Sequence, residues 1–184
     1  MISVSGIRGR VGFGLTPEVV ARYAAAFGAW AIAKGPSRAV VLGRDSRVTG
    51  PLFHGITRAA LESVGADVID IGLTTTPTLQ LAVEHHHAAG GLGITASHNP
   101  IEWNALKFIG PDGLFLSAAQ GAEMRALVEQ GIPYATWDAL GTTRFDGDAI
   151  ARHLDAVLAL PFLDLAAIRA RRFKVAYDAC RGAG

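Results

Sequence analysis

Gly91-Leu92-Gly93-Ile94-Thr95-Ala96-Ser97-His98-Asn99-Pro100 decides how the rest of the chain is read. Gly91 to Ala96 is a short uncharged run with the pattern of a buried strand, and it stops abruptly at three polar residues and a proline. Pro100 has no backbone donor and disfavours helical dihedrals at Asn99, so the strand must give way to a loop. In that loop Ser97, His98 and Asn99 offer a hydroxyl, an imidazole and a carboxamide at successive positions. Ser97 has a plain reading as part of a hydrogen-bonding turn and a sharper one as a serine that carries a covalent group. The acyl-transfer version of the second is weak, because the Gly-x-Ser-x-Gly elbow is missing: no glycine stands two residues from Ser97 on either side.

Working outward, the neighbouring segments alternate between helix and strand patterns. Thr16-Pro17-Glu18 is a helix start, with a capping hydroxyl, a proline at the first helical position and an acid at the positive end of the dipole. Val20, Tyr23, Ala24, Phe27 and Ala31 follow at helical spacing until Gly35-Pro36. Arg38 to Leu42 reads as a strand that delivers Gly43-Arg44-Asp45-Ser46-Arg47 at its C-terminal end, the end at which open α/β sheets bind ligands. Pro51 to Val64 is a second helix with Phe53, Ile56, Ala60 and Val64 inward, and Ala66 to Ile71 a second strand. A third helix opens at Thr76-Pro77 and runs to His85-His86-His87. Successive helical residues point about 100° apart, so these histidines cannot share a metal ion and read as a solvated helix end.

Beyond the Ser97 loop, Ala105 to Gly110 alternates as a strand, Pro111-Asp112-Gly113 is a turn, and Leu114-Phe115-Leu116 reads as a brief return strand, which would make the sheet mixed. Ser117-Ala118-Ala119-Gln120 is a capping box for a helix ending near Gly131, and Ile132 to Thr143 reads as a linker. The expected architecture is a three-layer α/β/α sandwich around a mixed, mostly parallel sheet. The loops carrying Arg44 and Ser97 should share one rim of that sheet.

Composition sets the outer limits. In 184 residues, 50% hydrophobic and 18% charged, there is material for one good-sized core. A net charge of +1 marks no nucleic-acid or membrane surface, and the single Cys180 cannot form an internal disulfide. The longest uncharged apolar segment, Tyr23 to Ala33, is too short to span a bilayer, so a cytoplasmic protein is expected.

The octet Gly93 to Pro100 resembles the phosphoserine loop of the α-D-phosphohexomutases, whose signature is Thr-(Ala/Gly)-Ser-His-Asn-Pro. Three further stretches resemble the same family. Gly6-Ile7-Arg8-Gly9, which by itself reads as a glycine- and arginine-rich anion-binding loop over Ser5 to Gly12, is similar to its N-terminal motif. Gly43-Arg44-Asp45-Ser46-Arg47 is similar to its Gly-Arg-Asp-x-Arg, and Asn104-Ala105-Leu106-Lys107 to an Asn-x-x-Lys pattern, with Ala105 where glycine is common.

The resemblance implies that Ser97 carries the phosphoryl group, that Arg8 and Lys107 supply positive charge or move a proton, and that His98 orients the loop or assists proton transfer. Arg44, Asp45, Arg47 and Asn99 would support the phosphate site from behind. Magnesium would touch the chain only through the phosphate on Ser97, its aspartate ligands lying elsewhere. The implied substrates are hexose phosphates (glucose, mannose or glucosamine) and their 1,6-bisphosphates. A non-catalytic sugar-phosphate or protein-binding domain of the same descent is the alternative.

Asp146-Gly147-Asp148-Ala149 imitates the family's Asp-Gly-Asp-Ala-Asp-Arg metal loop, but Ile150 and Ala151 stand where Asp-Arg would follow. Ala149, Ile150, His153, Leu154, Val157 and Leu158 lie at helical spacing, which makes Asp146 or Asp148 a helix cap instead. Arg171 to Ala176 has strand patterning, and the Asp178 to Gly184 turn is similar to the family's entry into a second domain. The expected division is therefore domain I over 1–165, and a linker with the first strand of domain II over 166–184; domains II to IV would be partners.

Overall fold

The computed structural model describes residues 2–3, 6–180, 182 and 183. Among them seven strands form one sheet: β1 (Ile2–Ser3), β2 (Gly6–Arg10), β3 (Ala39–Arg44), β4 (Asp67–Leu73), β5 (Gly90–Ile94), β6 (Trp103–Ile109) and β7 (Thr143–Phe145). The order across the sheet is β1-β2-β6-β5-β3-β4-β7. β3 is parallel to β4 and β5, and β4 to β7; β6 runs antiparallel to both β5 and β2, which restores β2 to the common direction. The sheet is thus mixed and mostly parallel, as expected.

Helices cover both faces. On one side lie α1 (Pro17–Lys34), α2 (Gly50–Ser63) and α4 (Ala118–Gln130), and on the other α3 (Thr76–His85) and α5 (Ala149–Leu158). The first layer seals a core that includes Phe27, Leu42, Phe53, Leu61, Leu92, Leu106 and Phe108. The second seals a smaller core of Val41, Ile69, Ile71, Leu79, Val83 and Ile109. α1 was expected to bury one face, yet Ala24 to Ala31 is buried without interruption because the helix lies between α2 and α4 as well as on the sheet. Its Phe27 stacks on Phe108 of β6 with ring centroids 5.0 Å apart, a contact worth roughly 0.5–1.5 kcal/mol beyond area burial. None of the described helices is long and apolar enough to cross a membrane.

The local start signals behave as their chemistry dictates. Thr16 caps α1 through the Val19 N–H, and Ser117 and Gln120 close a reciprocal capping box on α4. α3 is capped one residue earlier than expected, by Thr75 through the Thr78 N–H. Four expectations need correction. Gly6 to Arg10 is a strand, not a loop, since it fills the open edge of β6; Ser5 lies outside the described residues. The return strand at Leu114–Leu116 shrinks to one bridge, Ile109 to Phe115, because both edges of β6 are already taken by β2 and β5. The expected linker delivers Thr143 into β7, an exposed edge strand held by backbone pairing to β4. Finally, Arg171 ends α6 (Leu165–Arg171), and the strand expected from Arg171 to Ala176 has no neighbour to pair with; Phe173 and Val175 stand exposed. α6 begins at Leu165, so the 165/166 boundary drawn from sequence falls within this helix.

Candidate active site

The two helices on the second face pack over β4, β3 and β5, and the candidate side chains emerge toward the β6–β2 end of the sheet. Lys107 alternates with the core residues Leu106 and Phe108, so it points away from the larger core. It pairs with Gly6 on one side and Gly93 on the other, and therefore has no cross-strand side chain beside its stem. Gly6 is required, and Gly93 is tightly packed. A β-carbon on Gly6, whose φ is +156°, would sit 2.0 Å from the Leu106 carbonyl oxygen, and one on Gly93 would sit 2.9 Å from Leu79. Arg8 pairs with Ala105, two residues from Lys107, and so shares that face as its diagonal neighbour.

Ser97 closes the group. The strand ends at Ile94, and the Ser97 N–H turns back to the Thr95 hydroxyl at 3.1 Å. Ser97 is exposed and adopts φ +56°, a left-handed conformation that costs a residue with a β-carbon roughly 1–2 kcal/mol. Such outliers cluster at reactive sites, where surrounding contacts enforce them. A recess of about 120 Å³ lies between Arg8, Ser97, Thr95 and Lys107. On the other side of Ser97 a broad hollow of about 1000 Å³ is lined by Asp45, Arg47, Thr75, His98, Asn99 and Cys180, among others.

The partners distinguish two kinds of residue. Arg8 Nη1 donates to Asn99 Oδ1 at 3.0 Å, which ties the β2 arginine to the serine loop. His98 Nδ1 lies 3.4 Å from the Ser97 hydroxyl, and both side chains face solvent. Burial pulls the Lys107 ammonium below the usual lysine range; Asp45 opposes that and Arg8 reinforces it. The Lys107 ammonium also lies 5.6 Å from the centre of the Phe115 ring. Arg47, by contrast, turns inward. Its Nη1 donates to the Pro100 and Trp103 carbonyls, its Nη2 to those of Ser97 and Asn99, and its Nε faces the Asp45 carboxylate at 3.3 Å.

Ser97, His98, Asn99, Arg8, Lys107, Asp45 and Arg47 thus lie at one rim. Arg44 does not face the recess: its guanidinium donates to the Asp45 backbone carbonyl, beneath the loop. Asp45 pairs with Arg47, with the Arg47 N–H also on Asp45 Oδ1 at 3.0 Å.

Sequence reasoning quoted Thr95 and Asn104 in their motifs without giving them a role: Thr95 pins Ser97, and Asn104, fully buried, donates to Thr49 at 2.9 Å while accepting from the Ala105 N–H. It also passed over Thr74 to Thr76, which line the hollow where β4 ends. The signal was available for these three: they follow a parallel strand at the same end as Ser97.

Asp146 and Asp148 are not at the rim. Asp146 meets His86 at the far end of α3 from Thr75, with its Oδ2 2.7 Å from His86 Nε2 and a second bond from Arg152. Asp148 occupies the N-cap of α5 without a side-chain bond, and its N–H goes to Asp146 Oδ1. Burial alone would raise the Asp146 carboxyl, but the bonds from Arg152, His86 and the Asp148 N–H outweigh it and hold the group well below the usual range. His86 is consequently not part of a solvated helix end: its side chain is only 13% exposed, although His85 and His87 are open.

An exposed serine in a left-handed turn, sharing a recess with Arg8 and Lys107 at a strand-end rim of an α/β sandwich, is an arrangement suited to an anionic group. The chain belongs to the phosphoglucomutase/phosphomannomutase family: the model for its alpha/beta/alpha domain I matches residues 2–134. It is 37% identical over 181 residues to a phosphoglucomutase/phosphomannomutase of Thermococcus kodakarensis, covering 97% of this chain and 39% of that one. It is 33% identical over 187 residues to a phosphoglucosamine mutase of Pelotomaculum thermopropionicum, covering 100% and 41%. The chain therefore spans about two fifths of the length of these relatives. The same fold occurs in a solved phosphoglucomutase/phosphomannomutase family protein of Burkholderia thailandensis, with TM-score 0.71 and 24% identity over 86% of this chain and 36% of that one.

Proposed function

We propose that this chain is the phosphoserine-bearing part of a phosphohexomutase, which interconverts hexose 1- and 6-phosphates through a bisphosphorylated sugar. The observation that carries the reading is Ser97, exposed in a left-handed turn and sharing one recess with Arg8 and Lys107. In the forward step the Ser97 Oγ–phosphorus bond breaks as a bond forms from phosphorus to the free hydroxyl of the sugar monophosphate. The sugar hydroxyl loses its proton and the serine oxygen regains one. The bisphosphate then turns over and returns its other phosphoryl group to Ser97.

Phosphoryl transfer depends mainly on positioning and charge neutralisation, and Arg8 and Lys107 are fixed where charge would gather. Lys107, half buried and with its proton loosened, is suited to pass one to or from the transferring oxygen. His98 can do the same only from the solvent side.

Magnesium, which the resemblance implies, is not matched by this chain's own donors. The described residues hold no cluster of three His, Cys, Asp or Glu side chains fit for a metal, and Asp45 is engaged by Arg47. A phosphoseryl oxygen is the one ligand the site would offer, and no step above passes through the ion.

The test is turnover. The chain alone, with glucose 1-phosphate, its 1,6-bisphosphate and magnesium, should give glucose 6-phosphate only at background rate in a coupled dehydrogenase assay. Adding the remaining domains of a relative should raise it, with mannose and glucosamine phosphates compared in parallel. A rate within about tenfold of an intact relative from the chain alone would refute this division of labour. The binding-domain alternative has no observation in its favour, since both Ser97 and Lys107 are retained.

A further inference from the structure

A guanidinium has five N–H donors and no acceptor, so its partners can be counted. Four of those of Arg47 go to the carbonyls of Ser97, Asn99, Pro100 and Trp103, and the fifth, on Nε, is buried 3.3 Å from the Asp45 carboxylate without a hydrogen bond. Its side chain is 12% exposed and that of Asp45 17%. An arginine in this state has nothing left to offer a phosphate. What it does have is a hold on both ends of the serine turn: the acceptors span residues 97 to 103, and the first is the carbonyl of the residue whose φ is +56°. The turn's own bonds are few, Ser97 N–H to the Thr95 hydroxyl, Asn99 N–H to Ala96 and Trp103 N–H to Pro100, and the four from Arg47 outnumber them.

We infer that Arg47, oriented by Asp45, is the positioning residue that holds Ser97 in its left-handed turn, acting through the loop's carbonyls and not as a cation for the substrate. The planar fork is essential to this role. Four acceptors facing two nitrogens need the guanidinium geometry, whereas an ammonium keeps the charge but has three donors on a single atom. The two roles therefore part at Arg47→Lys: a charge role survives it, a clamp does not.

The inference rests on the phosphoserine reading for its second half, so the experiment has two readouts. Hydrogen exchange of the 97–103 segment is followed in the unsubstituted chain, Arg47→Lys and Arg47→Ala. Incorporation of phosphate at Ser97 from glucose 1,6-bisphosphate, with the remaining domains of a relative present, is measured on the same samples by mass. Both variants should speed exchange of the Asn99 and Trp103 amides at least about tenfold while the β3 and β5 amides stay protected. Both should slow phosphorylation by a similar factor, and added guanidinium should restore Arg47→Ala in part. Unchanged exchange in Arg47→Ala overturns the clamp. Faster exchange with undiminished phosphorylation overturns its link to Ser97, and full activity in Arg47→Lys shows that charge alone is needed. If the unsubstituted chain takes no phosphate at Ser97, the phosphoserine reading has failed, and the exchange data still decide whether Arg47 holds the loop.

Discussion

Ser97→Gly and Ser97→Ala, compared with each other, read the conformation of the serine turn directly. At φ +56° a β-carbon costs roughly 1–2 kcal/mol that glycine avoids. Glycine loses part of this through the extra freedom of its unfolded chain, about 0.4–1 kcal/mol. The difference, about 0–1.6 kcal/mol and centred near about 0.8, favours Ser97→Gly over Ser97→Ala. Alanine itself should fall within about 0.5 kcal/mol of serine, because the hydroxyl is exposed and its nearest partner, His98 Nδ1, is 3.4 Å away. For a chain of this size the glycine advantage corresponds to about 1–4 °C in melting temperature, measurable by calorimetry with urea unfolding as a check. Neither variant can carry phosphate. Ser97→Gly melting at or below Ser97→Ala would refute the left-handed turn and with it the argument that strain is stored there.

Asp146→Asn should cost about 1–3 kcal/mol, measured by urea unfolding at neutral pH, because it leaves Arg152 and His86 facing a neutral amide in a site where the carboxylate is 7% exposed. Its folded pKa lies below the unfolded value, so the stability it supplies is complete above the ordinary aspartate pKa and fades as pH falls further; the gap between the two proteins should narrow below about pH 4. For Lys107 the signs are opposed: Asp45→Asn removes a negative charge that favours its proton and should lower its pKa, whereas Arg8→Gln should raise it. The pH dependence of Lys107 acylation, followed by mass, checks both, and shifts of equal sign would contradict the arrangement.

What was legible in the sequence is what local chemistry decides. The Thr16-Pro17 start, the Ser117/Gln120 box and the uncharged run into Ser97 each carry their signal within a few residues, and each stands as read. β2 was not legible, because two arginines among glycines look like a loop until β6 provides an edge and Lys107 stands between glycine neighbours on both sides. β7 has three exposed residues with no periodic signature, and it exists only because β4 offers unpaired backbone. His86 looked solvated because its partner lies sixty residues away. The motifs already set Arg8 at the phosphoryl group and Arg47 behind it, but which atoms Arg47 holds could not be read. Arg47 reaches carbonyls 50 to 56 residues further on, and backbone acceptors leave no mark in a sequence.

The central claim is that Ser97 accepts and donates the phosphoryl group. Intact-mass analysis, with peptide mapping, after the protein and the remaining domains of a relative have been incubated with glucose 1,6-bisphosphate, tests it most directly. The account predicts one added phosphate, located on Ser97, absent from Ser97→Ala and discharged when glucose 1-phosphate is supplied. Phosphate that persists in Ser97→Ala, or that maps to any other residue of this chain, would contradict it.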